Sequence, residues 1–289
     1  MNNLKTVLVT GATGFVGHYL IERLLATNLV QVIATARTEP LPTKWSQAVT
    51  FVPFDISADF SGENLFTYFG RPDLVIHLAW QGLPDYKSMA HIETYWLQHY
   101  QFLTNLIRHG LTDLTVTGTC LEYGLQSGCL SENLPTSPTT AYGLAKDSLQ
   151  KALTLFLNNR SVYFKWIRLF YMYGKGQNPK SLLAQVEAAA LRNDPIFNMS
   201  KGEQLRDYLP VGKVAHTITE VALQQRVTGV INCCSGQPIA VRALVEQFMQ
   251  EHHYHLSLNL GYYPYPDYEP LAFWGSTDKL NTLTNYDSH

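Results

Sequence analysis

The chain has 289 residues, 46% of them apolar and 15% charged, with a formal net charge of -2. That composition supports a large buried core, and the near-neutral charge excludes the electrostatic footprint of a nucleic-acid binder and the basic clusters of a membrane-surface protein. No apolar run approaches the roughly 20 residues needed to span a bilayer.

A strand-like run begins at Lys5, where a signal peptide would need a longer apolar stretch and a cleavage site. Cys120, Cys129, Cys233 and Cys234 fall in no metal-ligand spacing and read as reduced thiols. The expectation is a cytoplasmic protein without a metal site.

Apolar runs at Val7–Thr10, Val30–Ala34, Val49–Phe54, Leu74–Leu78, Leu114–Thr117 and Tyr163–Leu169 show little polar alternation. Strands buried on both faces read this way. Between them lie helical patterns at Gly14–Ala26, Leu65–Phe69, Met89–Arg108 and Ala141–Leu157. The alternation predicts an α/β fold, a doubly wound parallel sheet of the Rossmann kind over residues 1–175. Further on, helices are predicted at Ser181–Leu191, Gly212–Gln225 and Val241–Glu251, with a strand at Val230–Cys233 and a Pro-rich aromatic loop over residues 261–268. Residues 176–289 therefore read as a smaller C-terminal substrate-binding α/β lobe, interleaved with the first domain.

Thr10-Gly11-Ala12-Thr13-Gly14-Phe15-Val16-Gly17 follows the first strand and opens the first helix. Gly11 suits a tight turn, Gly14 lets backbone approach a pyrophosphate, and Gly17 lets the helix pack closely on the sheet. Thr13, Phe15 and Val16 complete the loop, and the helix N-terminus presents N–H groups and partial positive charge to phosphate. A purely structural strand-to-helix turn is the other reading. The second strand ends in Ala34-Thr35-Ala36-Arg37, with no acid before Glu39. Arg37 favours the 2′-phosphate of NADP(H), although a solvated arginine beside an NAD(H) site would look the same. Asp55 is a candidate partner for adenine or a plain turn residue, with Ile56 beside it.

Tyr142 and Lys146 lie four residues apart on a predicted helix, one turn apart on one face. Hydride chemistry at a carbonyl or alcohol needs a proton donor and acceptor, and tyrosine's pKa of about 10 is too high for a base at neutral pH. A neighbouring ammonium and a nicotinamide cation stabilise the phenolate. Thr119 closes a predicted parallel strand at its C-terminal end, where open α/β sheets place their chemistry. Its hydroxyl completes a candidate catalytic set of Thr119, Tyr142 and Lys146.

These segments, together with His77-Leu78-Ala79, Tyr123-Gly124, Arg168-Leu169-Phe170-Tyr171-Met172-Tyr173-Gly174 and Arg206-Asp207-Tyr208, resemble the extended short-chain dehydrogenases of the NAD-dependent epimerase/dehydratase (sugar-nucleotide) family over nearly the whole chain. The resemblance implies that Tyr142 is the general acid/base and that Lys146 binds the nicotinamide ribose. It adds Leu78 and Ala79 to the cofactor wall. It places a substrate nucleoside-diphosphate sugar against Cys120, Glu122, Tyr171, Asn178, Arg206 and Tyr265, with Arg206 clamping the diphosphate unless it pairs with Asp207. Tyr262, Tyr263 and Tyr268 either line that pocket or fill the lobe core. A homodimer through the helices at 89–108 and 141–157 is also implied.

The family's 4,6-dehydratases carry Asp and Glu directly after the catalytic Thr, where this chain has Cys120 and Leu121. Its 3,5-epimerase/reductases of the GDP-fucose synthase type place a Cys where Leu121 stands and a His where Gly176 stands. The surviving expectations are an NADPH-dependent reductase of a nucleotide-linked 4-keto-6-deoxy sugar, an NAD-dependent C4 epimerase, and, more remotely, a non-catalytic NADP-binding regulator.

Overall fold

The computed structural model describes residues 4–37, 45 and 47–284. Elements run in the order β1 (Lys5–Thr10), α1 (Phe15–Thr27), β2 (Val30–Thr35), β3 (Val49–Phe51), α2 (Leu65–Tyr68) and β4 (Leu74–His77). A π turn at His91–Tyr95 leads into α3 (Trp96–Arg108), followed by β5 (Asp113–Thr119), a 3-10 turn at Cys120–Tyr123, β6 (Gly128–Leu130), α4 (Ala141–Leu157), β7 (Tyr163–Leu169) and β8 (Tyr171–Tyr173). The rest comprises α5 (Leu182–Leu191), β9 (Ile196–Met199), β10 (Leu205–Pro210), α6 (Val211–Leu223), β11 (Gly229–Cys233), β12 (Pro238–Ala240), α7 (Val241–Glu251), β13 (Ser257–Leu260), β14 (Phe273–Gly275) and α8 (Asp278–Thr284).

Seven strands form one parallel sheet in the order β11-β7-β5-β4-β1-β2-β3. Strand order reverses between β1 and β4, which opens a crevice at their C-terminal ends, the usual ligand position in such sheets. Alternation along each strand feeds two cores. Val7 and Val9 point toward α1 and α6, with Leu20, Leu24, Val214 and Ile218. Leu8 points to the other face, with Phe102, Leu106, Leu149 and Leu153 from α3 and α4.

Two expected elements are altered. The strand expected over 49–54 ends at Phe51, and Pro53 just beyond it has no N–H to give a ladder. The helix expected over 89–108 is regular only from Trp96. The C-terminal half contributes to both parts of the molecule. α6 packs on α1 and β11 closes one edge of the large sheet, while α5, α7 and β9 share a separate core of Leu183, Val186, Leu244 and Val245. Short sheets β12-β10-β8, β13-β9 and β14-β6 finish the smaller part, the last joining a strand from each half of the chain. Among the described residues, no helix is long and apolar enough to cross a membrane.

The far end of the sheet is held by a buried ion pair. Lys165 Nζ donates to Asp113 Oδ1 at 2.5 Å and to the carbonyls of Ala222 and Gln224, joining the starts of β5 and β7 to the end of α6. Both side chains are at most 5% exposed. Removing one partner leaves the other charge buried and uncompensated. Asp113→Ala is expected to lower the unfolding free energy by about 3–5 kcal/mol, read from urea denaturation, whereas Asp59→Ala on an exposed turn should change it little.

Candidate active site

At the crevice, Gly11 has φ of +69°, and a Cβ there would lie 2.8 Å from Ala79 N. A Cβ on Gly17 would collide with the carbonyls of Gly11 and Ala12. Gly14 is the N-cap of α1 and offers no side chain to its first-turn N–H groups. The loop is therefore bare and positively polarised, with Thr13 exposed and Phe15 and Val16 half-buried along it. These features fit a dinucleotide pyrophosphate.

Leu78 and Ala79 face the loop from the end of β4, where Ala79 N donates to Thr10 Oγ1 at 3.3 Å. Arg37 is exposed just past β2, and Glu39 lies outside the described residues. Asp55 Oδ1 accepts from Ser57 Oγ at 2.7 Å and Ser57 N at 2.9 Å, which hold its carboxyl below the ordinary range, and nearby Arg37 adds to this. Ile56 is buried beside it.

Thr119 ends β5 and caps the 3-10 turn, accepting from Leu121 N at 3.3 Å. Helix α4 begins at Thr140, whose hydroxyl accepts from Gly143 N at 3.0 Å. A Cβ on Gly143 would sit 2.8 Å from Leu121 O, so the missing side chain lets α4 press against the turn. Tyr142 is thereby brought close to Thr119, both side chains being buried. Burial raises the Tyr142 phenol above the tyrosine range, helped by Tyr86, Glu122 and Cys120, while the nearby Thr119 hydroxyl works the other way. One turn on, Lys146 Nζ donates to Thr117 O at 2.8 Å. Burial brings its pKa down to about 7, against the pull of Glu122.

The six expected substrate residues part company. Cys120 is buried directly after Thr119, its thiol pushed up by burial and next by the Glu269 carboxylate. Tyr171 and Arg206 converge on Glu269: the Tyr171 hydroxyl donates to one oxygen, and Arg206 Nη2 and Nε donate to the other at 3.0 and 3.3 Å. Arg206 Nη1 also donates to the carbonyls of Leu205 and Leu271, and its guanidinium lies over Phe273. The alternative pairing with Asp207 does not form. Asp207 instead accepts from Ser235, Gly236 and Gly275.

Glu122 departs from expectation, being fully buried behind the turn. Its carboxylate accepts from Thr119 N at 2.9 Å, Trp166 Nε1 at 3.0 Å and Arg168 Nε at 2.7 Å, so it faces the interior instead of a substrate. Asn178 is exposed, with Oδ1 accepting from Lys180 N in the turn before α5. Tyr265 is at the rim, donating to Glu203 at 2.9 Å, and Tyr262 and Tyr263 are exposed. Tyr268 reaches inward to Tyr86, whose ring lies 5.6 Å from that of Tyr142.

Sequence reasoning passed over three residues of this site. Tyr86 accepts from Tyr142 N at 3.0 Å through its carbonyl. Trp80, directly after His77-Leu78-Ala79, lies with its ring 4.1 Å from Lys146 Nζ. Glu269 follows Asp267 in an aromatic, proline-rich stretch, and no local pattern separates the inward acid from the exposed one.

Behind the crevice runs a buried polar string. Thr10 Oγ1 lies 2.9 Å from His77 Nδ1, His77 Nε2 lies 2.8 Å from His99 Nδ1, and His99 Nε2 lies 2.7 Å from Gln81 Oε1. Donation from Thr10 through both rings to Gln81 satisfies every nitrogen with both histidines neutral. Burial, and secondarily Lys146, lowers His77 to about 3. His99 is held well below its usual value by burial, then His77, then Lys146.

The sequence profile of the NAD-dependent epimerase/dehydratase family matches residues 7–234. The chain is 28% identical over 271 residues to a dTDP-6-deoxy-L-talose 4-dehydrogenase (NAD(+)) of Aggregatibacter actinomycetemcomitans, covering 93% of this chain and 99% of that protein. It is 27% identical over 262 residues to a dTDP-6-deoxy-L-talose 4-dehydrogenase (NAD(P)(+)) of Kitasatospora kifunensis, covering 85% and 78% respectively. Among solved structures, the UDP-glucuronic acid 4-epimerase of Bacillus cereus in complex with NAD shares the fold with a TM-score of 0.80 at 22% identity, covering 97% of this chain and 91% of that one.

The two neutral histidines set an acid limit on stability. Their folded pKa values lie below the unfolded value of about 6.5, so below that pH the unfolded chain binds protons that the folded chain refuses. Stability is then lost as pH falls, by about 1.4 kcal/mol per pH unit for each histidine. Urea denaturation at pH 7.5 and pH 5 should show this loss, and His99→Gln should remove about half of the histidine contribution.

Proposed function

Because this chain belongs to the NAD-dependent epimerase/dehydratase family, we propose that it interconverts a hydroxyl and a keto group at C4 of a nucleoside-diphosphate 6-deoxyhexose, with exchangeable NADP(H) as hydride carrier. The observation that carries the reading is the buried, neighbouring pair Thr119 and Tyr142 with Lys146 one turn away, at the mouth of the bare glycine loop. The residues after Thr119 support simple oxidoreduction, since Cys120 is a buried thiol held protonated and Leu121 has no ionisable group for eliminating water. The 4-dehydrogenases among its relatives, each named for a 6-deoxy sugar, support the substrate class.

The bound nicotinamide supplies hydride transfer, and the chain handles the proton. In the reducing direction the Tyr142 hydroxyl gives its proton to the C4 oxygen, and in the oxidising direction the phenolate takes it back. Thr119 holds that oxygen by a second hydrogen bond. Lys146 directs one N–H to Thr117 O and keeps two for ribose hydroxyls, its charge favouring the phenolate. Arg206 is the cation nearest to hand for the diphosphate, which has to share the guanidinium with Glu269.

Arg37 at the end of β2 supports NADP(H). Its position beside Asp55 gives a specific ground for the second reading, a C4 epimerase that retains NAD, because a nearby carboxylate disfavours a 2′-phosphate. Helices α3 and α4 pack side by side and carry the exposed Leu97 and Leu155, which supports a homodimer.

Purified protein mixed with NADPH and a dTDP- or UDP-linked 4-keto-6-deoxyhexose should consume reduced nicotinamide, faster than with NADH. Recovery of about one tightly held NAD per chain, with 4-epimer formed and no net change in cofactor, would transfer the assignment to the epimerase. Tyr142→Phe should bind cofactor as before and lose at least about 100-fold in turnover. Undiminished turnover in that variant would remove Tyr142 from the mechanism.

A further inference from the structure

Lys146 poses an electrostatic question beyond its assigned role. Its side chain is 1% exposed, and among the described residues no carboxylate comes within salt-bridge distance of its ammonium. Burial without a counter-ion favours the neutral amine. Thr117 O takes one N–H, and Glu122 acts from farther off, its oxygens directed at Thr119, Trp166 and Arg168.

The remaining close group is the indole of Trp80, 4.1 Å from Nζ to the ring centroid, with Trp166 more distant at 6.0 Å. The indole of Trp80 is fixed from two sides. Its Nε1 donates to His91 Nδ1 at 3.1 Å, and His91 Nε2 donates onward to Asp85 O at 2.8 Å. The His99 ring stacks on it, centroids 4.5 Å apart and planes 11° apart, and His99 is itself held by His77 and Gln81. A side chain that merely filled space would not need its plane set by both a hydrogen bond and a stacked ring.

We propose that Trp80 is a positioning residue for the acid/base pair: its indole face keeps Lys146 an ammonium and so sets the pH at which Tyr142 gives and takes its proton. The inference rests on the reading of Tyr142 and Lys146 as that pair. A cation over an indole is strongly favoured where water is excluded.

Other groups facing Lys146 are few. Tyr142 lies on its own helix, and Asp147 beside it is paired with Lys151 at 2.7 Å. β4 presents His77, α3 presents His99, the 3-10 turn presents Glu122 and β7 presents Trp166. Both histidines stay neutral across the working range, so they introduce no competing titration. Without the π face the neutral amine is favoured, and Tyr142 loses its cationic partner. Alcohol oxidation, which needs the phenolate, then begins at higher pH.

The test compares Trp80→Phe, which keeps a π face, with Trp80→Met, which keeps bulk without one. In protein labelled with 13C at lysine Cε, the Lys146 resonance is identified by its loss in Lys146→Arg and titrated by NMR. The Met variant should show a Lys146 midpoint lower by about one pH unit, and the Phe variant less than about half of that shift. The pH at which kcat/KM for oxidation rises should move upward in the same order. If the Met variant does not fold, fluorinated tryptophan incorporated into the wild-type chain weakens the π face with little change of shape, and the midpoint should fall with each added fluorine. An unchanged Lys146 midpoint overturns the proposal whatever happens to turnover. Retained turnover in Tyr142→Phe would overturn the acid/base reading and leave a shifted midpoint standing, so the two failures are distinguishable.

Discussion

The Glu122 carboxylate is the joint on which the site depends. Buried with no exposure, it binds the backbone of Thr119 at the end of β5 and the side chains of Trp166 and Arg168 on β7. Arg168 in turn lies over Tyr123, whose hydroxyl donates to Asn232 on β11. Three neighbouring strands and the 3-10 turn are thereby locked together just beneath the Thr119 and Tyr142 hydroxyls. Burying a carboxylate carries a large desolvation cost, offset only where charged and neutral donors converge on it, as they do here. The orientation of Thr119 follows from that network, and the position of Tyr142 follows from Thr119 and from the close approach allowed at Gly143.

Above this joint the crevice is lined largely by neutral aromatic and hydroxyl groups. Tyr86, Tyr171 and Tyr208 all have phenols raised by burial, so they carry no charge, and the Tyr171 hydroxyl donates to Glu269. The largely buried fixed charges there are Lys146 on one side and Arg206 with Glu269 on the other. In so dry a setting each fixed charge acts with less screening than it would in water, and small changes in its neighbours register in proton transfer.

Much of this was legible in the sequence, and the reasons are physical. Strands buried on both faces leave continuous apolar runs, and all six expected in the first 170 residues are present, with only the strand at β3 cut short by Pro53. The glycine loop was readable because close backbone approach admits no side chain, which restricts those positions to one residue type. Tyr142 and Lys146 were readable because helical spacing fixes which residues share a face. Glu122 was misplaced because an acid at the end of a strand looks alike whether it faces a ligand or the interior. The pairing of Arg206 with Glu269 spans 63 positions, and no local pattern announces such a contact. Trp80 was passed over for a similar reason: its significance comes from α3 and α4, which meet it only after folding.

The chain closes the Arg206 side of the crevice very late. β14 pairs with β6, Ser276 N donates to Leu130 O, Gly275 N to Asp207, and Lys279 Nζ to the carbonyls of Thr228 and Val230. Glu269 reaches Arg206 and Tyr171 from the same terminal stretch. The glycine loop, Thr119, Tyr142 and Lys146 belong instead to strands and helices finished by Leu169. During synthesis, where earlier segments fold first, the glycine loop, Thr119, Tyr142 and Lys146 leave the ribosome well before α6 and β11 complete the packing of the large sheet and before Glu269 reaches Arg206. Both parts of the molecule thus wait on the C-terminal half of the chain for their final packing.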